Sequence, residues 1–278
     1  MRVHPYIATA SGFFLNRLYY PFVKYRLHIS LIFLFLLINV FAGVAGQQPA
    51  WPVIIAFFLW HYALYIFDRA YDYQLDAVNQ PKEAILAGER NFFLALSVLL
   101  SLLPLPLLYF YGYSMWPYLP FIPITFLYTF PVYNGLRSKN ILFFKNLYSA
   151  LLIWTLPLAV VAFYYTSHSL DFWTVFKKYF LGLFLYVMVG EAFWDIRDLE
   201  GDRQMNVRTI PVVFGVPATK VYLVTLILFD LFVFGKAVTF STLIYLLLIF
   251  IVKPSSPRWI FHIPPLLALY RFLSVLIW

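Results

Sequence analysis

Nine stretches of this chain are apolar for long enough to be read as membrane crossings, and no other feature constrains its fold as strongly. They run roughly over residues 28–46, 51–69, 92–111, 115–131, 144–165, 173–194, 218–235, 238–253 and 259–277. Inside a bilayer no water reaches the backbone N–H and C=O groups, so runs of about 17 to 25 residues must satisfy them within a single helix. The fourth and eighth stretches are short or interrupted by proline, which leaves their ends the least defined. With 63% hydrophobic and 12% charged residues, the composition supplies too little charge for the surface of a water-soluble domain of 278 residues. The expected fold class is all-α, a polytopic membrane helical bundle of about nine transmembrane helices. It is expected to form a single domain over residues 1–278, with an interfacial or cytoplasmic segment at about residues 1–27.

Cysteine is absent, which excludes disulfides, thiolate nucleophiles and thiolate metal sites. The segment before the first apolar run carries Arg2, Arg17, Lys24 and Arg26, and no small-residue cleavage pattern follows that run. The first helix is therefore expected to stay as an anchor and not to be removed as a signal peptide. Sixteen of the 20 Lys and Arg residues fall in the N-terminal segment and in the connections after the second, fourth, sixth and eighth stretches. Lys177, Lys178 and Lys236 lie in the other connections, and Arg271 lies within the last stretch. The positive-inside rule puts the basic-rich face in the cytoplasm. In a bacterium the membrane would be the inner or cell membrane.

The acidic residues are more sharply arranged. Of twelve Asp and Glu, five lie between Asp68 and Glu89 and five between Glu191 and Asp202. Both groups sit at the cytoplasmic, C-terminal ends of helices, where the helix dipole disfavours negative charge. In FDRAYDYQLD, Asp68, Asp72 and Asp76 are spaced by four and stack on one helical face, where like charges repel. In EAFWDIRDLEGD, Asp198 and Asp202 repeat the spacing, with Asp195 one turn earlier and Gly201 expected to loosen the backbone. A divalent cation would offset this charge. Oxygen-only ligands, with His61 too deep in its span to join them, favour Mg2+ over zinc. Mg2+ usually bridges carboxylates to substrate phosphates, which predicts basic residues on the same face. Arg26, Lys82, Arg137, Lys139, Arg203 and Arg208 are placed to meet that expectation. Each of them taken singly also reads as an ordinary positive-inside anchor. Asp230, alone in the apolar stretch LVTLILFDLFVF, is either a functional group or a carboxyl partnered between helices.

DRAYDYQLD, DIRDLEGDR followed by NVRTIPVVFG, and YNGLRSKNILFFKNL together resemble the motifs of the UbiA superfamily of intramembrane prenyltransferases. Asn146 stands where that family usually has Asn. The resemblance covers essentially the whole chain and implies helices surrounding a lipid-accessible central cavity. It implies Mg2+ held by Asp72 with Asp68 or Asp76, and by Asp198 with Asp202. The diphosphate of an isoprenyl donor would be bound by Arg26, Lys82, Arg137, Lys139, Asn146 and Arg203, with Asp72, Asp202 and Lys139 as the catalytic residues. The implied partners are the isoprenyl diphosphate donor, a lipid-soluble acceptor and membrane lipid, and no nucleic acid. Three positions depart from the family pattern: Asp68 replaces Asn, Arg69 replaces a second acid at a position turned about 100° from the aspartate face, and Glu83 stands where Arg usually follows the proline. The implied reaction is isoprenyl transfer to an aromatic or other lipid-soluble acceptor. The alternative is an intramembrane terpene cyclase of the same fold. A cation transporter fits less well, because its acids would lie at the bilayer midplane.

Overall fold

The computed structural model describes residues 22, 24–81, 83–133, 136–166, 170–235 and 239–277. From the N-terminal side come the helices α1 (Leu27–Val44), α2 (Trp51–Tyr71), α3 (Tyr73–Asn79), α4 (Arg90–Phe110) and α5 (Phe121–Leu127). A small antiparallel hairpin, β1 (Pro131–Tyr133) and β2 (Leu136–Arg137), leads into α6 (Phe144–Tyr164). Then follow α7 (Phe172–Arg197), α8 (Leu199–Gln204), α9 (Ile210–Phe234), α10 (Thr239–Ile251) and α11 (Ile263–Ile277).

Helix occupies each of the nine apolar stretches, but length separates them. Among the described residues six helices, α1, α2, α4, α6, α7 and α9, are long and apolar enough to cross a membrane. The chain is an integral membrane protein. A residue rises about 1.5 Å in a helix, so the seven residues of α5 cover only about a third of a hydrocarbon core. Prolines at 117, 120, 123 and 131 explain its brevity, since each lacks an N–H and crowds the preceding turn. The expectation of nine crossings is thus not matched by nine helices of full length.

The apolar pattern also decides which helix lies in the middle. Along α7, 83% of the most apolar window is buried inside the protein, against 17% for α9 and 22% for α4. Helices α6, α9 and α11 pack around α7, while α2 packs on α1, α4 and α5. Residues 149–155 of α6 form a π turn, widened ahead of Pro157, which offers no N–H to the carbonyl of Ile153. That turn brings Ser149 and Ile153 to the wall of the central cavity. In α9 the backbone breaks at Gly215, where φ is 83° and ψ 163°, two residues before Pro217.

Asp230 proves to be partnered. Its Oδ1 lies 3.5 Å from Nε of Arg271, and both side chains are fully buried. The Arg271 guanidinium carbon sits 4.0 Å above the Phe234 ring. It passes so close to Gly182 of α7 that a Cβ there would overlap it. The two charges the sequence leaves stranded in apolar stretches therefore meet each other between α9 and α11. Removing one partner of such a pair costs about 3–5 kcal/mol, whereas replacing both by apolar residues is often neutral. Asp230→Leu and Arg271→Leu are each expected to lower the melting temperature in detergent by several degrees, and the double variant to recover most of the loss. Single variants as stable as the parent would show that the pair contributes nothing.

Candidate active site

The first aspartate motif is carried across the junction of α2 and α3. Asp72 has φ −93° and ψ 22°, which ends α2, yet the hydrogen-bond ladder continues through it. The Asp72 N–H donates to the Asp68 carbonyl at 2.9 Å, and the Asp76 N–H to the Asp72 carbonyl at 2.9 Å. The spacing of four consequently delivers all three carboxyl groups to one cavity, as the sequence predicts. The second motif has the same construction. Asp198, with φ −90° and ψ 7°, joins α7 to α8, and the Asp202 N–H donates to the Asp198 carbonyl at 2.9 Å. Asp198 and Asp202 line the same cavity from the other side.

A direct clasp holds the two motifs together. Asn79, at the end of α3, accepts a hydrogen bond from the Gly201 N–H at 2.9 Å. A Cβ at position 201 would overlap the Asn79 amide. Gly201 is therefore required for close approach inside α8 and not, as its sequence position suggested, to loosen the backbone.

The carboxylates are met by basic side chains from several elements, where the sequence reading assigned their neutralisation to metal. Lys139, in the turn after β2, pairs with Asp68 at 2.7 Å and also with Asp72. Arg137 Nη1 donates to Asp72 Oδ1 at 2.6 Å, and the Thr129 hydroxyl donates to Asp68 at 2.9 Å. Arg197 grips Asp198 with two hydrogen bonds of 2.7 and 2.6 Å. Lys145 pairs with Asp195 at 2.5 Å, and Asn146 donates to the same carboxylate at 3.2 Å. Arg69 Nη1 lies 2.8 Å from Asp76 Oδ2 but is not aligned for a hydrogen bond to it and donates instead to Gln80, while Nε and Nη2 donate to the carbonyls of Lys24 and Glu83. Position 69 does not point away from the site as expected, because the long arginine side chain curls back into the cavity and ties down the loop after α3.

This pairing leaves specific atoms unmet. Among the described residues, Asp202 Oδ2 is buried with no hydrogen-bond partner, and so is Nη1 of Arg26, whose Nη2 donates to Gln80 at 3.0 Å. Arg26 adopts φ 57°, a left-handed conformation that a non-glycine residue rarely takes and that is stored mostly at functional sites. Burial pushes the Asp202 carboxyl up to about 7, with Asp195 and Asp198 adding to the shift against the pull of Lys145. Burial likewise raises Asp76 to about 6, against the opposing pull of Arg69 and Arg26. Arg26 is lowered to about 10 by burial and by neighbouring Arg69 and Arg197. An unpaired acceptor and an unpaired donor thus line one buried cavity.

Among the described residues no group of three or more His, Cys, Asp or Glu could hold a metal ion unaided. Mg2+ commonly uses one or two carboxylates and completes its shell with water and substrate phosphate. An all-oxygen donor set with a spare buried carboxylate oxygen on Asp202 fits such an ion. Of the residues singled out from the sequence, Arg26, Asp68, Asp72, Asp76, Lys139, Asp198 and Asp202 line the cavity. Arg137 and Asn146 stand behind it and hold aspartates, Arg203 is exposed on α8, and Lys82 lies outside the described residues.

The model of the UbiA prenyltransferase family matches residues 30–262. The chain belongs to the UbiA prenyltransferase family. Its fold is shared by a digeranylgeranylglyceryl phosphate synthase structure in membranes, with TM-score 0.59, 13% identity and coverage of 94% of this chain and 98% of that one. It is shared also by a UbiA homolog from Archaeoglobus fulgidus bound to DMAPP and Mg2+, with TM-score 0.54, 15% identity and coverage of 93% and 96%. No curated protein matches the sequence significantly. In this UbiA chain the cavity also holds Arg69, Lys145, Glu191 and Arg197, which motif spacing alone did not assign to it. Arg69 and Arg197 could have been found, since each directly adjoins a motif aspartate in the sequence.

The raised carboxyl groups make a linkage prediction. Asp76 and Asp202 titrate above their ordinary 3.8 in the folded protein, so their contribution to stability is complete at low pH and is lost as pH rises through about 6 to 7. In EDTA, melting temperature in detergent is expected to fall between pH 5 and pH 8, and Asp202→Asn is expected to flatten the decline. A melting temperature that rises with pH across this window would contradict the assignment.

Proposed function

We propose that this protein is a Mg2+-dependent intramembrane transferase that moves an isoprenyl group from an isoprenyl diphosphate to an aromatic or other lipid-soluble acceptor. The observation that carries the reading is the pairing of unmet groups in one cavity: among the described residues, Asp202 Oδ2 without a hydrogen-bond donor and Arg26 Nη1 without an acceptor, between two aspartate motifs. A metal diphosphate would satisfy both. The bound DMAPP and Mg2+ of the Archaeoglobus fulgidus homolog support the same assignment of substrate class and ion. The basic-rich loops support a cytoplasmic orientation for the cavity.

Asp72 with Asp68 or Asp76, and Asp198 with Asp202, would hold the ions. When bound, Mg2+ supplies positive charge to the diphosphate as the carbon–oxygen bond breaks. Lys139 and Arg26 are the residues of the chain placed to take up the negative charge of the leaving diphosphate. To do so Lys139 exchanges an aspartate for a phosphate oxygen. Arg137 and Asn146, which hydrogen-bond to aspartates and do not line the cavity, would act by positioning those aspartates. Tyr65, Tyr128 and Trp194 line the cavity, and such aromatic rings would suit the allylic cation left when diphosphate departs. The cation expected from the family where Glu83 stands, which the sequence left either missing or supplied by Lys82, would on this reading be replaced by Arg26, Arg69 and Arg197, which line the cavity together.

Turnover is expected to require Mg2+ or Mn2+ and to stop in EDTA; undiminished turnover in the chelator would defeat the reading. Asp72→Ala and Asp202→Ala should each lower turnover by about 10²–10³-fold while leaving a folded protein, as losing one element of a charge clamp does. Asp68→Asn keeps an oxygen toward Thr129 and Lys139 and should be mild. A donor-only incubation followed by mass spectrometry separates transferase from cyclase. Slow hydrolysis, accelerated several-fold by a lipid-soluble acceptor, is expected. A cyclic hydrocarbon made efficiently from donor alone, with no acceleration by any acceptor, would replace the transferase by a cyclase.

A further inference from the structure

Glu191 lacks a direct cation partner. Asp68, Asp72, Asp76, Asp195 and Asp198 each form an ion pair, whereas Glu191, like Asp202, has no Lys or Arg in ion-pair contact among the described residues. Its Oε1 instead accepts a hydrogen bond from the Ser149 hydroxyl at 2.5 Å. The side chain is 6% exposed, four residues before Asp195 on the most buried helix of the bundle. A carboxyl group with no direct cation partner in an apolar helix is costly and is by default a functional-site candidate.

Its position indicates that use. Glu191 and Trp194 are shared between the polar cavity and a neighbouring apolar groove that runs along α7 past Trp154, Gly190, Tyr186 and Pro264. Among the described residues Glu191 is the only carboxylate lining that groove. It therefore stands at the seam where a diphosphate head group and an apolar molecule would meet. The aspartates of the motifs are committed to basic partners or face the diphosphate side, so none is equally placed to serve a reaction partner lying in the groove.

We propose that Glu191 is the base that takes the proton lost by the acceptor, an assignment that rests on the transferase reading. The donor's carbon–oxygen bond breaks, its electron pair leaves with diphosphate, and the acceptor's nucleophilic atom bonds to the allylic carbon. The hydrogen carried by that atom passes as a proton to the Glu191 carboxylate, with Ser149 holding the carboxyl group in orientation. Neither an oxidant nor a further reactant is needed.

The test is the partition of product. Purified protein in Mg2+ with labelled isoprenyl diphosphate is offered a panel of lipid-soluble phenols and long-chain alcohols. Prenylated acceptor is then divided by diphosphate released, using the probe that the parent protein prenylates best. Glu191→Gln keeps the shape and can still accept from Ser149, but it cannot take a proton. The ratio is expected to fall about 100-fold, the scale of a lost general base, with Glu191→Asp recovering part of it. A purely structural role would lower both quantities together and leave the ratio unchanged, which overturns the proposal. Loss of fold in both variants overturns it as well. A parent protein that releases diphosphate but prenylates no probe would instead bring down the transferase reading, and this assignment with it.

Discussion

The organising constraint is electrostatic: seven carboxyl groups, Asp68, Asp72, Asp76, Glu191, Asp195, Asp198 and Asp202, are crowded where two membrane helices end. Repulsion among them is weakly screened in a protein interior, where the effective dielectric constant is about 20 and not about 80. The bundle answers with a ring of cations contributed by unrelated elements: Arg26 before α1, Arg69 from α2, the hairpin segment with Arg137 and Lys139, Lys145 from α6 and Arg197 from α7. Because the ring draws on so many elements, the charges are also what locates the hairpin and the loops. In a bilayer, where apolar contact alone gives little preference for one helix neighbour over another, such polar contacts carry the specificity.

The neutralisation is uneven. Asp68, Asp72, Asp195 and Asp198 are hydrogen-bonded to Lys or Arg, so much of their charge is already balanced. Among the described residues Asp202 and Glu191 are not, and Asp76 meets Arg69 out of alignment. These acids are differently placed: Asp202 and Asp76 line the polar cavity, while Glu191 stands at its apolar margin. The clasp between Asn79 and Gly201 fixes the distance between the two aspartate motifs, and so fixes what size of charged group fits between them.

Much of this was legible in the sequence, and the reasons it was or was not are physical. Aspartates four apart on a helix must share a face, and backbone hydrogen bonds run through Asp72 and Asp198 with little distortion, so both motifs were readable. Helix ends were less readable, because nine apolar runs say nothing about which are shortened: α5 is cut by prolines, and α10 and α11 have 13 and 15 residues. Arg69 was misjudged since a helical wheel fixes where a Cβ points but not where a guanidinium five bonds further on can reach. The partner of Asp230 could not be assigned from the sequence, because α9 and α11 are separated by a whole helix and only packing brings Arg271 to it.

The buried Asp230–Arg271 pair and the acidic cavity represent two solutions to the same problem in one helix bundle. In the first, opposite charges from α9 and α11 meet with both side chains fully buried, and Gly182 on α7 makes room for the arginine. Such a pair can fix the register of three helices, which lipid-facing Leu and Phe cannot, because apolar side chains slide past one another at little cost. In the second, α7 carries Glu191 and Asp195 and leads into Asp198 and Asp202, neutralisation is incomplete, and on the proposed reading the remaining charge serves a substrate. Both solutions hang on α7, the helix most enclosed by the others. A rigid, centrally held α7 is what keeps Glu191 and the aspartates after it in fixed relation, since chemistry at a positioned charge loses its advantage when the charge moves by an ångström or so.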